Sequence, residues 1–345
     1  MKSYRTFIIT FIVLTTLVLG STAAFNYFID PMWTFNHKNS YNDVQTVIDE
    51  RQQKINKIHF TPFEYDTLLI GSSRTTYIDQ HDFKNMNVFN FSASDLSIKE
   101  YKSFIDYAKK EKGSEFDRII IGVDFFKSSV QESQKNLSLD EYILKQEEPF
   151  YRLKNLISLD ILDYSKRNFR LSKKNAIVED RNYNRDNVAF AKEIEPSTRA
   201  AQTKEKIQKF KQVFYGPTYE YNPEFKQILL QLKRENPTTE FILFTTPISA
   251  PLFEALVESG RMKDYERWLH DMITVFGGVY NFMYPNSVTR DLDNYFDGHH
   301  FYPHVGKLIA YRISNEDRKE LPRDFGTFVT KENFTDHLQK ISLSK

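Results

Sequence analysis

Apolar and polar positions follow three different patterns along this chain. Residues 7–20 (FIITFIVLTTLVLG) carry no charge and follow Lys2 and Arg5. Extended from Thr6 to Phe25, the run approaches the roughly 20 residues that cross a bilayer. Further on, short apolar runs end at small or turn-forming residues: 66–71 (DTLLIG), 87–91 (NVFNF), 118–123 (RIIIGV), 240–246 (EFILFTT) and a weaker fifth at 278–282 (GVYNF). The first four suit strands buried on both faces. Between the runs lie helical stripes: Ile98, Tyr101, Ile105 and Ala108; Phe225, Ile228, Leu229 and Leu232; Tyr265, Trp268, Leu269, Met272 and Ile273. Alternating β and α units predict a parallel sheet with helices on both faces, its chemistry at the carboxyl ends of the strands.

This pattern divides the chain into a membrane-anchoring segment at 1–25, a connecting arm at 26–60 and a main domain at 61–345. The long gap between the third and fourth strands predicts a mainly helical insert at 126–222, far longer than an ordinary crossover. The N-terminal segment reads as an uncleaved signal anchor, with cleavage after Ser21-Thr22-Ala23 as the alternative. Either way the basic flank stays cytoplasmic and the rest of the chain is exported.

Composition narrows the chemistry. The 345 residues contain no cysteine, which removes disulfides, thiolate metal sites and cysteine nucleophiles together. Lysine plus arginine (47) nearly cancel aspartate plus glutamate (46), unlike a general nucleic-acid binder. The balance is uneven: residues 151–215 hold 15 basic against 8 acidic side chains. That excess reads either as a solvated cap or as a surface for an anionic polymer or lipid headgroup.

Candidate chemistry sits in two places. In LLIGSSRT (68–75), a strand runs through Gly71 into two serines where a helix could start, an exposed position for a nucleophile near a positive helix end. Helix capping by Ser72 or Ser73 is the plainer use of those hydroxyls. In YFDGHHFYPHVG (295–306), Asp297 and His300 have Asp-x-x-His spacing, so one turn can present a carboxylate to an imidazole whose other nitrogen faces a serine. His299 reads as structural, and His304, after Pro303, as the start of the last helix.

Together these motifs resemble the SGNH (GDSL-type) hydrolase superfamily, and within it the membrane-anchored branch related to the teichoic-acid D-alanylation protein and the alginate O-acetylation proteins. The resemblance runs from about residue 60 to 310, interrupted by the insert. It implies a three-layer α/β/α sandwich around a flavodoxin-like parallel sheet of about five strands. It also implies a catalytic triad of Ser73, His300 and Asp297, with no cofactor and no metal. Ser73 and Asp95 would offer backbone N–H groups to an oxyanion, Asp95 being nearest the family's glycine in 90–95 (NFSASD). Asp124 stands where the family places an oxyanion-binding asparagine. An ionised aspartate cannot donate there, and losing one such donor typically costs roughly 100- to 1,000-fold in rate. Arg74 and Asn90 are the candidate substrate-binding side chains, with a place on the helix surface as the equal alternative for Arg74.

The expected function is an extracytoplasmic serine-dependent acyl-ester hydrolase or O-acyltransferase. It would act on an envelope polysaccharide or teichoic-acid-like polymer, with acetyl as the favoured group and a multispanning membrane acyltransferase as a conceivable partner. Two other classes remain open: a non-catalytic assembly subunit of an envelope-polymer complex, and a metal-dependent phosphoesterase built on Asp297, His299 and His300.

Overall fold

The computed structural model describes residues 2–134 and 139–343. The chain forms two compact units, Met1–Phe63 with Leu139–Lys192, and Glu64–Ser138 with Glu193–Lys345.

The second unit is a mixed α/β fold. Among the described residues its sheet has six strands: β1 (Thr67–Gly71), β2 (Val88–Asn90), β3 (Arg118–Val123), β4 (Glu240–Thr245), β5 (Gly278–Asn281) and β6 (Thr327–Thr330). Their order is β2-β1-β3-β4-β5-β6; all pairs are parallel except β5–β6. The five parallel strands follow the 2-1-3-4-5 order of a doubly wound sheet. Register places Leu68 beside Ile119 and Ile120 beside Ile242. The apolar runs that predicted strands are therefore the buried centre of the sheet. β6 was not anticipated, because TFVT is a short edge strand with Phe328 half-exposed and has no continuous apolar run.

Helices flank the sheet on both sides. Tyr101–Lys112 follows the 3-10 turn Ile98–Glu100, which a Ser97–Glu100 capping box starts; it buries Tyr101, Phe104, Ile105 and Ala108 and stops at Gly113 in the left-handed conformation. Phe225–Glu235 buries Phe225, Leu229 and Leu232, and Met262–Phe276 buries Tyr265, Trp268, Leu269 and Met272. Pro303–Ile313 begins at Pro303 as expected, yet it is not the last helix; Phe334–Leu343 comes after β6.

The first unit corrects the expected division of the chain. Among the described residues one helix, Lys2–Ile29, is long and apolar enough to span a membrane. The arm after it does not merely connect, because it folds with the first half of the insert. Gln45–Thr46 pairs with Asn182–Tyr183, which pairs with Ala189–Phe190. Arg185 donates to the Asp30 carboxylate at 2.6 Å and to its carbonyl at 2.9 Å, and all of these groups are buried. The insert is thus split: residues 139–192 complete the unit of the N-terminal helix, while residues 193–222 belong with the sheet.

Candidate active site

β1 carries the buried run TLLIG to the carboxyl edge of the sheet, and Ser72 and Ser73 come next in a turn. A Cβ on Gly71 or Gly122 would overlap the Thr75 side chain, so both glycines let this turn pack against the paired ends of β1 and β3. Thr75 N–H donates to Ser72 O at 3.0 Å and the Thr76 hydroxyl donates to Ser73 O at 2.6 Å. The chain then makes the three-residue 3-10 turn Thr75–Tyr77. The expected helix start is absent here, and with it the argument from a helix dipole.

Asp297 and His300 occupy a loop closed by a bridge between Tyr295 and Phe301. Asp297 Oδ1 accepts the backbone N–H groups of His299 (2.9 Å) and His300 (2.6 Å), so the carboxylate first shapes its own turn. Its Oδ2 then meets His300 Nδ1 at 2.9 Å, and His300 Nε2 lies 2.9 Å from Ser73 Oγ. With Nδ1–H donating to the carboxylate, Nε2 is the acceptor for the serine proton. Phe296 stacks on the imidazole with a 5.4 Å centroid separation and 3° between planes, which limits ring rotation. Burial alone would raise the Asp297 pKa, but the charges of His300, His299 and Lys206 and the His300 hydrogen bond outweigh it and hold the carboxyl well below the usual range.

Lys206 was not anticipated. It lies on helix Pro196–Lys209, from the later half of the insert, and its Nζ sits 2.9 Å from the same Asp297 Oδ2 that holds His300. The only sequence signal was the lysine density of the segment, which does not single out one side chain.

Several expectations need correction. Arg74 neither binds substrate nor sits on a surface: it is 1% exposed, and its Nη2 lies 2.7 Å from Asp124 Oδ1. Asp124 also accepts from the Thr246 hydroxyl at 2.5 Å and from Ser72. Its carboxylate is therefore neutralised inside the fold, and the expected repulsion of an oxyanion does not arise from it. Asn90 is fully buried and braces the serine turn, donating to Thr75 O at 3.0 Å and Ile78 O at 2.9 Å while accepting from Ser92 N–H. It is not a substrate contact. Asp95, in the left-handed conformation at φ 58°, pairs its side chain with Lys127 and lines the site.

His299 is buried, with its ring against Phe210 (4.7 Å) and Phe126 (5.5 Å). Burial, then the Arg74 charge, push its pKa well down. Among the described residues no group of three or more His, Asp or Glu side chains is placed to hold a metal, so Asp297, His299 and His300 do not converge as a ligand set. His304 bonds Asn294 at 2.8 Å.

A cleft of about 200 Å³ opens over this arrangement, lined by Ser73, His300, Ser94, Asp95, Phe126 and Lys209 among others. The geometry allows proton transfer from a serine hydroxyl to an oriented imidazole, beside a partly apolar wall and lysine side chains.

No protein-family model and no curated protein matches the chain. A solved structure named "putative platelet activating factor", from Streptococcus pneumonia, matches 77% of this chain and 89% of its own, with 9% sequence identity and a TM-score of 0.34. A likeness that low carries no argument about fold family or function.

Proposed function

We propose that this chain is a membrane-anchored serine acyl-ester hydrolase or O-acyltransferase of SGNH type, working on an envelope polysaccharide or similar glycopolymer outside the cytoplasmic membrane. The observation that carries the reading is the relay Ser73 Oγ–His300 Nε2 and His300 Nδ1–Asp297 Oδ2, each link 2.9 Å. The 2-1-3-4-5 strand order, which flavodoxin-like sheets share, supports it. So does the apolar N-terminal helix.

In the first half-reaction Ser73 Oγ attacks the ester carbonyl as His300 Nε2 takes its proton, and Asp297 stabilises the imidazolium. Backbone N–H groups of Ser73 and Asp95 receive the developing oxyanion. The tetrahedral species collapses, the leaving alkoxide takes the proton from His300, and an acyl-serine remains. Water or a sugar hydroxyl then gives its proton to His300 and attacks the acyl group, acetyl in the favoured case; as the acyl–Oγ bond breaks, His300 returns the proton to Ser73 Oγ. A multispanning acyltransferase would serve as donor in a transfer reaction.

A fluorophosphonate probe tests this directly on the full chain in detergent. Wild type should label and Ser73→Ala should not. Absence of labelling in wild type, or equal labelling of Ser73→Ala, would overturn the reading.

A further inference from the structure

The first unit presents a second apolar surface beside the anchor helix. Phe150 (76% exposed), Leu153 (50%), Ile157 (39%) and Leu159 (66%) cluster along Tyr151–Ile157 and the start of Leu159–Lys174. Large apolar side chains this exposed within ten residues of one another need a cover. Phe150 is held out in the left-handed conformation at φ 64°, a backbone state that a bulky residue rarely adopts.

Two observations place this surface at the bilayer. The anchor helix packs on these same two helices: Asn26 Nδ2 donates to Leu156 O at 2.8 Å and Ser158 O at 3.1 Å, Ser165 Oγ donates to Asn26 Oδ1 at 2.8 Å, and Phe25 meets Phe169 at 5.8 Å. The second is a length. Hydrocarbon about 30 Å thick needs about 20 helical residues at 1.5 Å each. With Arg5 held at one boundary, the span reaches Phe25. Yet Thr22 is already 6% exposed and Asn26 2% exposed against protein. A bilayer of ordinary thickness therefore extends up to the two insert helices. Tyr27 and Phe28, on the outer face of the last turn, are 48% and 39% exposed, as aromatic side chains at a membrane interface are.

We infer that the segment from Phe150 to Leu159 is a second membrane contact, its apolar side chains seated in the interfacial layer of the bilayer beside the anchor helix. The ligand is the lipid surface itself, taken by apolar insertion, so charged headgroups are not required. Held by the helix and by this second contact, the unit loses freedom to tilt on a single helix. The inference rests on Lys2–Ile29 spanning the membrane and is independent of the chemistry proposed for Ser73.

The absence of native cysteine makes the test direct. Nitroxide labels are placed singly by Val13→Cys, Leu153→Cys, Leu159→Cys and Lys331→Cys in the full chain, reconstituted in phosphatidylcholine nanodiscs. Collision with oxygen, which concentrates in lipid, is compared with collision with a water-soluble nickel chelate. The labels at 13, 153 and 159 should favour oxygen, the last two at a shallow depth, and the label at 331 should favour nickel. Nickel-dominated collision at 153 and 159 with lipid-buried label at 13 overturns the second contact alone. Nickel-dominated collision at 13 as well overturns the anchor and the inference together.

Discussion

Lys206 Nζ and His300 Nδ1 meet the same oxygen of Asp297, each at 2.9 Å. The carboxylate of the Ser73–His300–Asp297 chain of contacts is therefore shared between the His300 imidazole and a cation supplied by the insert. Lys206 meets Asp297 and also lines the cleft over Ser73.

Replacing Lys206 by methionine removes one charge-assisted bond, of the kind worth about 1.5–3 kcal/mol. The expected result is a fall of about tenfold or more in the second-order rate of fluorophosphonate labelling, since 1.36 kcal/mol is a factor of ten. Lys206→Arg should recover most of that rate. An unchanged rate in Lys206→Met would show that His300 and the two backbone N–H groups orient the carboxylate without the lysine.

Asp297 keeps its charge to low pH because His300, His299 and Lys206 outweigh the cost of burial. A depressed carboxyl contributes stability that is complete above the unfolded value near 3.9 and is lost as pH falls toward the folded value. The difference in Tm between wild type and Asp297→Asn should hold steady from pH 8 to 5 and shrink only below about pH 4. A difference that vanishes already by pH 5 would mean that the carboxylate is not held by these cations.

The pair Arg74–Asp124 is nearly unexposed on both sides. Breaking such a pair typically costs about 3–5 kcal/mol, whereas replacing both members by apolar groups costs far less. Arg74→Met and Asp124→Leu should each lower the Tm of the sheet-bearing unit, and the double variant should stand above either single one. Additive losses would show that the two side chains are not coupled.

Gly298 adopts φ 71°, and a Cβ there would lie 2.7 Å from Thr203 Cγ2. Gly298→Ala should displace the 295–301 loop and slow labelling of Ser73, because a left-handed alanine costs about 1–2 kcal/mol before the clash is counted. Adding Thr203→Ala removes the clash and should restore part of the rate. No recovery would assign the whole effect to backbone strain.

His337 is buried, which lowers its pKa to about 4, and it meets Asn281 Nδ2 at 2.8 Å. Between about pH 6.5 and 4 the unfolded imidazole binds a proton that the folded one refuses, so stability falls as the solution is acidified. Thermal unfolding of wild type should lose on the order of 2 kcal/mol over that window. His337→Gln should flatten the slope, and an unaltered slope would place the acid sensitivity elsewhere.

Much of the scaffold was legible because its physics is local. A strand buried on both faces must be apolar throughout, so 68–70, 119–121 and 242–244 announced themselves. Amphipathic helices such as Met262–Phe276 repeat their buried positions every three to four residues. Asp297 and His300 are three apart and share one turn, so their pairing needed no tertiary knowledge. β6 escaped because an edge strand with one exposed face has no continuous apolar run.

By itself the chain determined what short-range periodicity and local spacing determine: an apolar N-terminal helix, five parallel strands, the serine turn and the Asp-x-x-His turn. Only the tertiary structure decided which distant groups meet. It brought Ser73 to His300 across 227 positions and Lys206 to Asp297, and it turned Arg74 inward onto Asp124. It also joined the arm to half of the insert through Asp30 and Arg185. Those outcomes depend on sheet register, helix phase and the cost of leaving a buried charge unpaired. None of these leaves a mark in the composition or spacing of a single segment.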